Sequence, residues 1–426
     1  MFVERSAARI QLVRTLFVLA CLLPTLGLAA WAVYRHSAGY VDPLLASWSR
    51  SIGLTITVDR LEHLRPAVIR LRDVALSDSR QHQVAAVAEA EVETRDGGTL
   101  LRLPRLSLDA SGTAALAALA RSWLTEPVRF PRGGAVQVDE LLWTADGSQR
   151  SLGGFRLELV VVGTDRAVRI RREPADDDEL RLRAITSTEG LRLEAELTCN
   201  RGLPAELVAS VSGWLPRFGS AATIRGRLQG TATEKGVAGP PPQVQWSGRG
   251  DAVVTGVELA GLAGAVGQSA RGDAVLRIEG LEVDQGRITA ARLLLSAENG
   301  SLGRGLLERL VTVLGCRFGP GSAPLSAGSD WLNGPSIPFD EAACAVELDA
   351  SGVVVEPAGL GGATLVASRR AAVLEAANAR IPYERFAWFF APTATGMLPA
   401  TIPASPQALE VLSRLPMAGE AQAERF

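Results

Sequence analysis

The amino-acid sequence predicts a mainly β protein in which an N-terminal transmembrane helix precedes an elongated, curved, mostly antiparallel sheet. Three observations support this class: an uncharged run near the N-terminus, strand-like alternation of apolar and polar residues over most of the remaining chain, and few segments with helical periodicity. We expect the sheet to be a gutter or a sandwich and to carry two or three short helices.

The uncharged run covers residues 15–34 and reads TLFVLACLLPTLGLAAWAVY. About twenty apolar residues are needed to cross a hydrocarbon core as a helix. Arg5, Arg9 and Arg14 precede the run, and basic residues on that side favour a cytoplasmic N-terminus. We therefore expect residues 1–14 to be cytoplasmic, the run to be a retained anchor and the rest of the chain to be exported. A cleaved signal peptide and a buried soluble helix are the alternatives.

Period-two alternation dominates the chain beyond residue 50. Apolar residues at alternate positions point to one face of a strand, and the polar residues between them point to the other. A change of apolar parity between Leu71 and Val74 predicts a bulge near Asp73. The apolar positions that we expect to line a groove along the sheet are Leu54, Ile56, Val58, Ile69, Leu71, Val74, Leu76, Leu191, Leu193 and Leu197.

Helical periodicity is confined to a few segments. Residues 113–124 and 302–314 have the spacing of amphipathic helices, and residues 403–415 could form a third. Segments rich in Gly, Pro and Ser at 235–243 and 315–338 suggest joints. They divide the exported part into a first β region at 40–234, a second β region with a helix at 244–314, and a C-terminal β hairpin with an aromatic and proline-rich tail at 337–426.

A sheet with one apolar face must cover that face, because each Å² of exposed apolar surface costs about 25 cal/mol. The face can pack on a second sheet, carry helices, or form a gutter that is filled by lipid or by a partner. Two or three helices cannot cover sixteen to twenty predicted strands, so the pattern favours a sandwich or a gutter. Periodicity does not decide between them.

Several segments together resemble a known family. They are YVDPLL at 40–45, SIGLTITV at 51–58, PAVIRLRDVALSD at 66–78, VAAVAEAEVET at 84–94, and IPFD at 337–340 followed by the strands of 345–355. With the basic N-terminus and the anchor, they resemble AsmA-like bacterial envelope proteins over residues 10–110 and, in part, over 337–380. The resemblance implies an inner-membrane-anchored, periplasm-facing protein of the repeating β-groove type, associated with outer-membrane assembly or phospholipid movement.

Reactive constellations are missing from the sequence. Its histidines are His36, His63 and His82, and no nucleophile elbow, zinc motif or phosphate loop occurs. The polar cluster at 77–82 reads as a loop, and the acidic run at 176–179 reads as a solvated turn rather than a cation site. We therefore predict no catalytic residue, no metal ligand and no cofactor. A net charge of −2 argues against nucleic acid as a partner.

Two further groups of side chains have open interpretations. Tyr383, Phe386, Trp388, Phe389 and Phe390 are concentrated in a chain that is only 5% aromatic. They could form a hydrophobic plug at one end of the sheet, or a contact with a membrane or partner. The four cysteines at 21, 199, 316 and 344 are too few and too far apart for a disulfide scaffold. The last two could pair, or all could be free thiols.

These features lead to one expected function and two rivals. We expect a non-enzymatic, AsmA-like protein of the bacterial inner membrane that shelters or guides lipid, or supports envelope and outer-membrane assembly. Its partners would be the inner membrane, phospholipid and other envelope proteins. The rivals are a structural or interaction β-sandwich of the cell envelope and an envelope enzyme with an unrecognised site.

Overall fold

The computed structural model describes residues 7–35, 37–52, 54–65, 67–78, 83–95, 98–125, 133–145, 148–163, 165–174, 178–187, 190–212, 218–235, 244–320, 336–359, 361–377, 379–390 and 413–415. Within these residues, twenty-one strands form one sheet, and an apolar helix lies at the N-terminus. The predicted fold class is therefore confirmed.

The helices are α1 (Ala7–Phe17), α2 (Leu23–Arg35), α3 (Ala38–Ile52), α4 (Ala110–Thr125), α5 (Ala205–Ser212), α6 (Leu259–Ala265), α7 (Arg304–Thr312) and α8 (Tyr383–Ala387). The strands are β1 (Thr55–Thr57), β2 (Arg60–Arg65), β3 (Val68–Ser77), β4 (Gln83–Arg95), β5 (Gly98–Leu108), β6 (Gly134–Ala145), β7 (Ser148–Ser151), β8 (Gly154–Val162), β9 (Asp165–Glu173), β10 (Glu179–Ser187), β11 (Gly190–Pro204), β12 (Thr223–Lys235), β13 (Val244–Glu258), β14 (Ala270–Asp284), β15 (Arg287–Gly303), β16 (Arg317–Phe318), β17 (Ser336–Asp349), β18 (Gly352–Pro357), β19 (Thr364–Ser368), β20 (Ala371–Glu375) and β21 (Arg380–Ile381).

A stretch of π-helix, Val18–Leu22, joins α1 to α2 without a break. Within this continuous helix, residues Gln11–Arg35 are long and apolar enough to cross a membrane, and none of the most apolar part is buried against the rest of the chain. Twenty-five residues of helix span about 37 Å, which exceeds the thickness of a hydrocarbon core. We call this segment the membrane helix.

The sheet is built mainly as a meander. Thirteen strands, from β3 to β6, from β8 to β15, and then β17, pair each with the next. At 4.8 Å per strand, this row extends about 58 Å along the curve of the sheet. β1 and β2 both pair with β3 at the first edge, next to α3.

One pair in this row is parallel, namely β5 with β6. Parallel neighbours need a crossover connection, and α4 lies in the chain between these two strands. The predicted joint at 235–243 falls between β12 and β13, which pair from Thr223 opposite Thr255 to Glu234 opposite Val244. The sheet therefore continues across this joint, and the two predicted β regions are parts of the same sheet.

The irregularity predicted near Asp73 is present, but no residue is inserted there. Asp73 has a left-handed backbone with φ of 51°, which only a minority of non-glycine residues adopt. Arg72 pairs with Glu89 and Val74 with Val87, so the register is the same on both sides. The buried parity changes in β3 and β4 together, which places Val87 inside and exposes Ala88, contrary to the simple alternation expected for β4.

Helices predicted at 113–124 and 302–314 are confirmed as α4 and α7. The segment 403–415 lies outside the described residues except for its last three. The prediction of two or three helices was too low, because six helices, α3 to α8, follow the membrane helix in the described part. The lengths of α5, α6 and α8 are 8, 7 and 5 residues, too short to establish a helical period.

These helices cover most of the apolar face, together with the C-terminal strands. The first core cluster lies over β1 to β6 and packs against α3 and α4. The second lies over β8 to β11 and packs against the end of α4. The third and largest lies over β12 to β18 and includes residues of α6, α7 and α8. A helix about 10 Å wide spans two strands, so a few short helices suffice where the sequence suggested they could not.

Candidate functional site

The first predicted groove-lining residues are in the first core cluster rather than in an open groove. Ile56, Leu71 and Val74 are buried members of this cluster, and Leu54 is buried next to β1 without belonging to it. Val58, Ile69 and Leu76 are partly buried against the same cluster, onto which α3 packs Val41, Leu44, Leu45 and Trp48. Helix α3 thus covers this end of the apolar face, directly after the membrane helix.

Leu191 and Leu193 of β11 are partly buried against the second cluster. This cluster contains Leu124 of α4, with Trp123 packed on it. The buried guanidinium of Arg166 donates to the carbonyl oxygen of Trp123 at 3.3 Å, near the C-terminal end of α4. Cations are favourable at helix C-termini, so Arg166 fastens the helix to the apolar face.

Leu197 belongs to a stretch of the apolar face that is covered less. We define the apolar strip as Leu180, Ala195, Leu197, Leu228 and Trp246, which lie on β10 to β13 between the second and third clusters. Leu180, Leu197 and Leu228 lie side by side on neighbouring strands. Ala195 is exposed and the other four are half-buried. In the described part of the chain, none of the five is a member of a core cluster.

The opposite, polar face carries an open concavity. It has a volume of about 820 Å³ and crosses six strands, β9 to β14, over about 24 Å, with Thr289 of β15 at its edge. Its floor is the backbone around Leu182, Ala195 and Gly230. We call it the polar trough. Its polar rim residues are Arg169, Arg181, Arg183, Glu194, Glu196, Gln229, Thr231, Ser247, Arg249, Glu282 and Asp284.

The rim of the polar trough follows from strand pairing. Arg169, Arg181, Glu196, Gln229, Arg249 and Glu282 are successive partners across the six strands and form one wall. Arg183, Glu194, Thr231 and Ser247 are successive partners in the other wall. Four arginines and four carboxylates are therefore arranged in bands, and their formal charges cancel.

Hydrogen bonds within and beside the rim hold these side chains in place. Glu179 accepts from Arg181 at 2.6 Å, Arg169 at 3.0 Å and Arg171 at 3.1 Å. The hydrogen bond from Arg181, together with that from Arg171, holds the pKa of Glu179 below its usual value, although burial acts in the opposite direction. Glu196 accepts from Arg227 at 2.8 Å and from Gln229 at 3.1 Å.

The buried carboxylate of Asp178 stabilises an irregularity in β11. Asp178 accepts hydrogen bonds from the backbone amides of Asn200 at 2.5 Å and Arg201 at 3.2 Å. Its other oxygen lies 3.5 Å from the Arg172 guanidinium. These amides lie where the pairing of β11 with β12 shifts register, so the carboxylate satisfies backbone donors that the ladder leaves free. The acidic run at 176–179 thus has a structural role at Asp178.

The predicted aromatic segment packs on the third core cluster. Tyr383 is buried, and its hydroxyl donates to the carbonyl oxygen of Asp349. Burial raises the pKa of Tyr383 to about 12, with a further contribution from Asp349. Phe386, Trp388 and Phe389 are partly buried against the cluster. Phe390 is half-buried and contacts Phe386 edge-on, with ring centroids 5.5 Å apart.

Arg309 of α7 ties this segment to the core. Only 3% of Arg309 is exposed, and its guanidinium donates to the carbonyl oxygens of Val266 at 3.2 Å and Phe389 at 2.9 Å. Val266 follows α6, and Phe389 lies in the 3₁₀ turn Trp388–Phe390. One side chain therefore joins three helical segments. The arrangement fits a plug at the end of the sheet better than a free docking element.

Other candidate groups have structural surroundings. All four cysteines are free. Burial raises the pKa values of Cys316 and Cys344 to about 11, and the neighbouring Cys316 contributes to the shift at Cys344. Residues 79–82 and His36 lie outside the described residues. Within the described ranges, no group of three or more His, Cys, Asp or Glu side chains is placed to hold a metal ion.

The sequence predicts which residues lie on each face of the sheet, but it does not predict the shape of either face. Strand alternation assigned Leu197 to the apolar face and Arg181 to the polar face, as the pairing shows. Nothing in that alternation could indicate that an open concavity forms on the polar face between β9 and β14. Concavity arises from the twist and coil of neighbouring strands, which depend on the whole sheet.

No model of a known protein family matches the chain, and no curated protein sequence matches it.

Proposed function

We propose that this chain is a non-enzymatic, membrane-anchored protein of the bacterial cell envelope that supports envelope assembly by binding a partner along the polar trough. The observation that carries the proposal is the contrast between the two faces of the sheet. The polar face has an open concavity of about 820 Å³ across six strands, whereas helices and C-terminal strands cover most of the apolar face.

The proposed location rests on the N-terminal segment. The membrane helix could hold the sheet at a bilayer, and the preceding arginines favour a cytoplasmic N-terminus with the sheet in the periplasm. The resemblance of residues 10–110 to AsmA-like proteins supports the inner membrane as that bilayer. A row of strands about 58 Å long would present the trough well away from the membrane surface.

The chemistry of the trough suits a polar macromolecular partner. Banded charges of both signs favour a partner with complementary bands, and such complementarity contributes chiefly to specificity and association rate. Thr231 and Ser247, whose hydroxyl oxygens lie 2.8 Å apart, provide a neutral centre between the charged bands. Hydrogen bonds between rim residues keep the surface ordered before a partner binds.

The proposal is tested by charge reversal in the trough. The double variant Arg181→Glu with Arg249→Glu changes two exposed rim residues, and Arg121→Glu with Arg271→Glu changes two exposed arginines outside it by the same charge. In cells that lack the native protein and accumulate both variants to the same level, we expect the control to restore the outer-membrane permeability barrier and the trough variant to fail. Equal rescue by both, or no permeability defect on deletion, would reject the proposal.

A second candidate function, sheltering of lipid, is favoured by one specific observation. Ala195 is exposed on the apolar face, and Leu197, Leu228 and Trp246 beside it are only half-buried. An acyl chain could lie on this apolar strip. Leu197→Gln with Leu228→Gln would then abolish rescue of the permeability barrier in a chain whose thermal unfolding is unchanged, whereas partner binding at the trough predicts full rescue by this variant.

A further inference from the structure

The end of the membrane helix is connected to the first edge of the sheet by a series of ring contacts. The Arg35 guanidinium lies 4.5 Å from the ring centroid of Trp31 and 5.7 Å from that of Tyr40. The Tyr40 ring lies 5.9 Å from Tyr34 and 5.9 Å from His63. Edge strand β2 is thereby held close to the last turn of the membrane helix.

These contacts place β2 at the height of the lipid headgroups. Trp and Tyr at the end of a membrane helix lie in the interfacial layer. Two ring contacts of 5.9 Å in series keep His63 within about 12 Å of Tyr34. The headgroup layer adds roughly 5–8 Å to each side of the hydrocarbon core. The strand that contains His63 therefore starts in, or immediately above, this layer.

Two residues that follow His63 are exposed at this position. Leu64 is 46% exposed, and the side chain of Arg65 is 68% exposed, with a long contact of 3.8 Å to Glu93. The pairing of β2 with β3 shifts register between His63 and Arg65, so the exposed Leu64 lies at an irregularity of the edge strand, directly after the side chain that packs on Tyr40. At β2 the described pairing is with β3 alone.

We propose that Leu64 and Arg65 form a membrane contact site, in which Leu64 enters the interfacial layer of the bilayer that holds the membrane helix and Arg65 binds a lipid phosphate. The pairing of an apolar side chain with an adjacent guanidinium matches the two layers of that interface. Together with the ring contacts, this site fixes the tilt of the sheet relative to the bilayer.

A matched site elsewhere on the sheet makes the inference testable. Val162, at the end of β8, is a 69% exposed apolar residue outside the strands that adjoin the membrane helix. Single exposed apolar residues are common on soluble surfaces, so Val162 reports what an exposed aliphatic position does without a membrane contact. Both positions accept a cysteine label, because neither side chain is buried.

The experiment uses the full chain in nanodiscs of phosphatidylcholine and phosphatidylglycerol, with Cys21 and Cys344 replaced by Ala. A bimane label is attached at Leu64→Cys or Val162→Cys, and quenching is compared between lipids carrying a headgroup-level nitroxide and aqueous iodide. We expect the label at position 64 to lose fluorescence to the lipid quencher and to be protected from iodide, with the reverse at position 162. Equal responses at the two positions would overturn the proposal.

A second variant tests the role assigned to Arg65. Arg65→Gln in the Leu64→Cys chain should reduce lipid quenching at position 64, and the reduction should be larger in nanodiscs with phosphatidylglycerol than in phosphatidylcholine alone. Unchanged quenching would show that Arg65 is not part of the membrane contact site. Thermal unfolding of each labelled chain verifies that the sheet is intact.

Discussion

Arg309 is a cation in an almost completely buried position, and two backbone carbonyls are its described acceptors. Burial lowers its pKa, because the charged form loses hydration that the carbonyls only partly replace. The same carbonyls belong to a residue after α6 and to the 3₁₀ turn of the aromatic segment. A single side chain thus decides whether three helical segments remain packed on the core.

Replacing Arg309 with Met should lower the free energy of unfolding by about 1–3 kcal/mol, because two buried carbonyls lose their donor. The urea midpoint of the full chain in detergent measures this change. Arg385→Met is the control, since the exposed Arg385 donates to the carbonyl of Thr312 at 3.1 Å and should contribute under 1 kcal/mol. Equal effects of the two substitutions would contradict the role given to Arg309.

The lowered pKa of Glu179 predicts that the stability of the folded chain depends on pH. Its pKa in the folded chain is lowered, first by the hydrogen bond from Arg181. A carboxylate with a lowered folded pKa contributes stability above its unfolded pKa of about 4.3, and that contribution is lost as pH falls through the lowered folded value. Urea unfolding at pH 7 should therefore show Glu179→Gln to be less stable than the native chain, and the difference should shrink by pH 3. A difference independent of pH would refute this origin.

Among the elements, α4 shows how local sequence starts a helix that the fold requires. Asp109 precedes α4 and accepts hydrogen bonds from the Gly112 amide at 2.7 Å and the Ser111 hydroxyl at 2.8 Å. These bonds lower the pKa of Asp109 despite the opposing effect of burial. Because α4 is the crossover between the parallel strands β5 and β6, its first turn determines where that connection leaves the sheet.

Asp109→Ala should therefore reduce the free energy of unfolding by about 1 kcal/mol, the usual cost of losing an N-terminal cap. Asp109→Ser keeps an acceptor oxygen at this position and should recover most of the loss. Chemical unfolding of the three chains measures both differences. A loss that Ser fails to recover would mean that the charge, and not the cap, stabilises α4.

Whether a segment is a helix or a strand could be predicted from the sequence where the periodic pattern of apolar residues extends over enough positions. The alternation of Leu191, Leu193 and Leu197 with charged residues predicted β11, which pairs with β10 up to Ser187 opposite Gly190. Helix α6, LAGLAGA, contains three alanines and two glycines within seven positions, so no period could be detected. Its helical state depends on packing over β13 and β14 rather than on propensity.

At the scale of the whole molecule, strands with the same alternation of apolar and charged residues differ in how far their apolar side chains are buried. Leu71 and Leu197 both alternate with charged residues, yet Leu71 is buried under the first cluster and Leu197 is half-buried in the apolar strip. Alternation reports that one face is apolar. It carries no information on which distant helix packs there, because α3 and α4 reach the sheet through tertiary contacts.

The membrane helix, the first core cluster and the polar trough follow one another along the sheet. The sheet starts beside the membrane helix with its apolar face closed by α3, and its open polar concavity lies several strands further on. A continuous apolar path from the membrane helix along the sheet would have to pass the closed stretch at Ile56 and Leu71. This geometry is the reason for preferring partner binding to lipid conduction.

The most direct test of this account is native mass spectrometry of the full chain released from detergent, compared with the Leu197→Gln and Leu228→Gln double variant. Lipid retained by the membrane helix is common to both chains and cancels in the comparison. If the apolar strip holds no lipid, as the account predicts, both chains will carry the same number of phospholipids. One additional phospholipid on the native chain, absent from the variant, would show that the apolar strip holds lipid and would contradict the account.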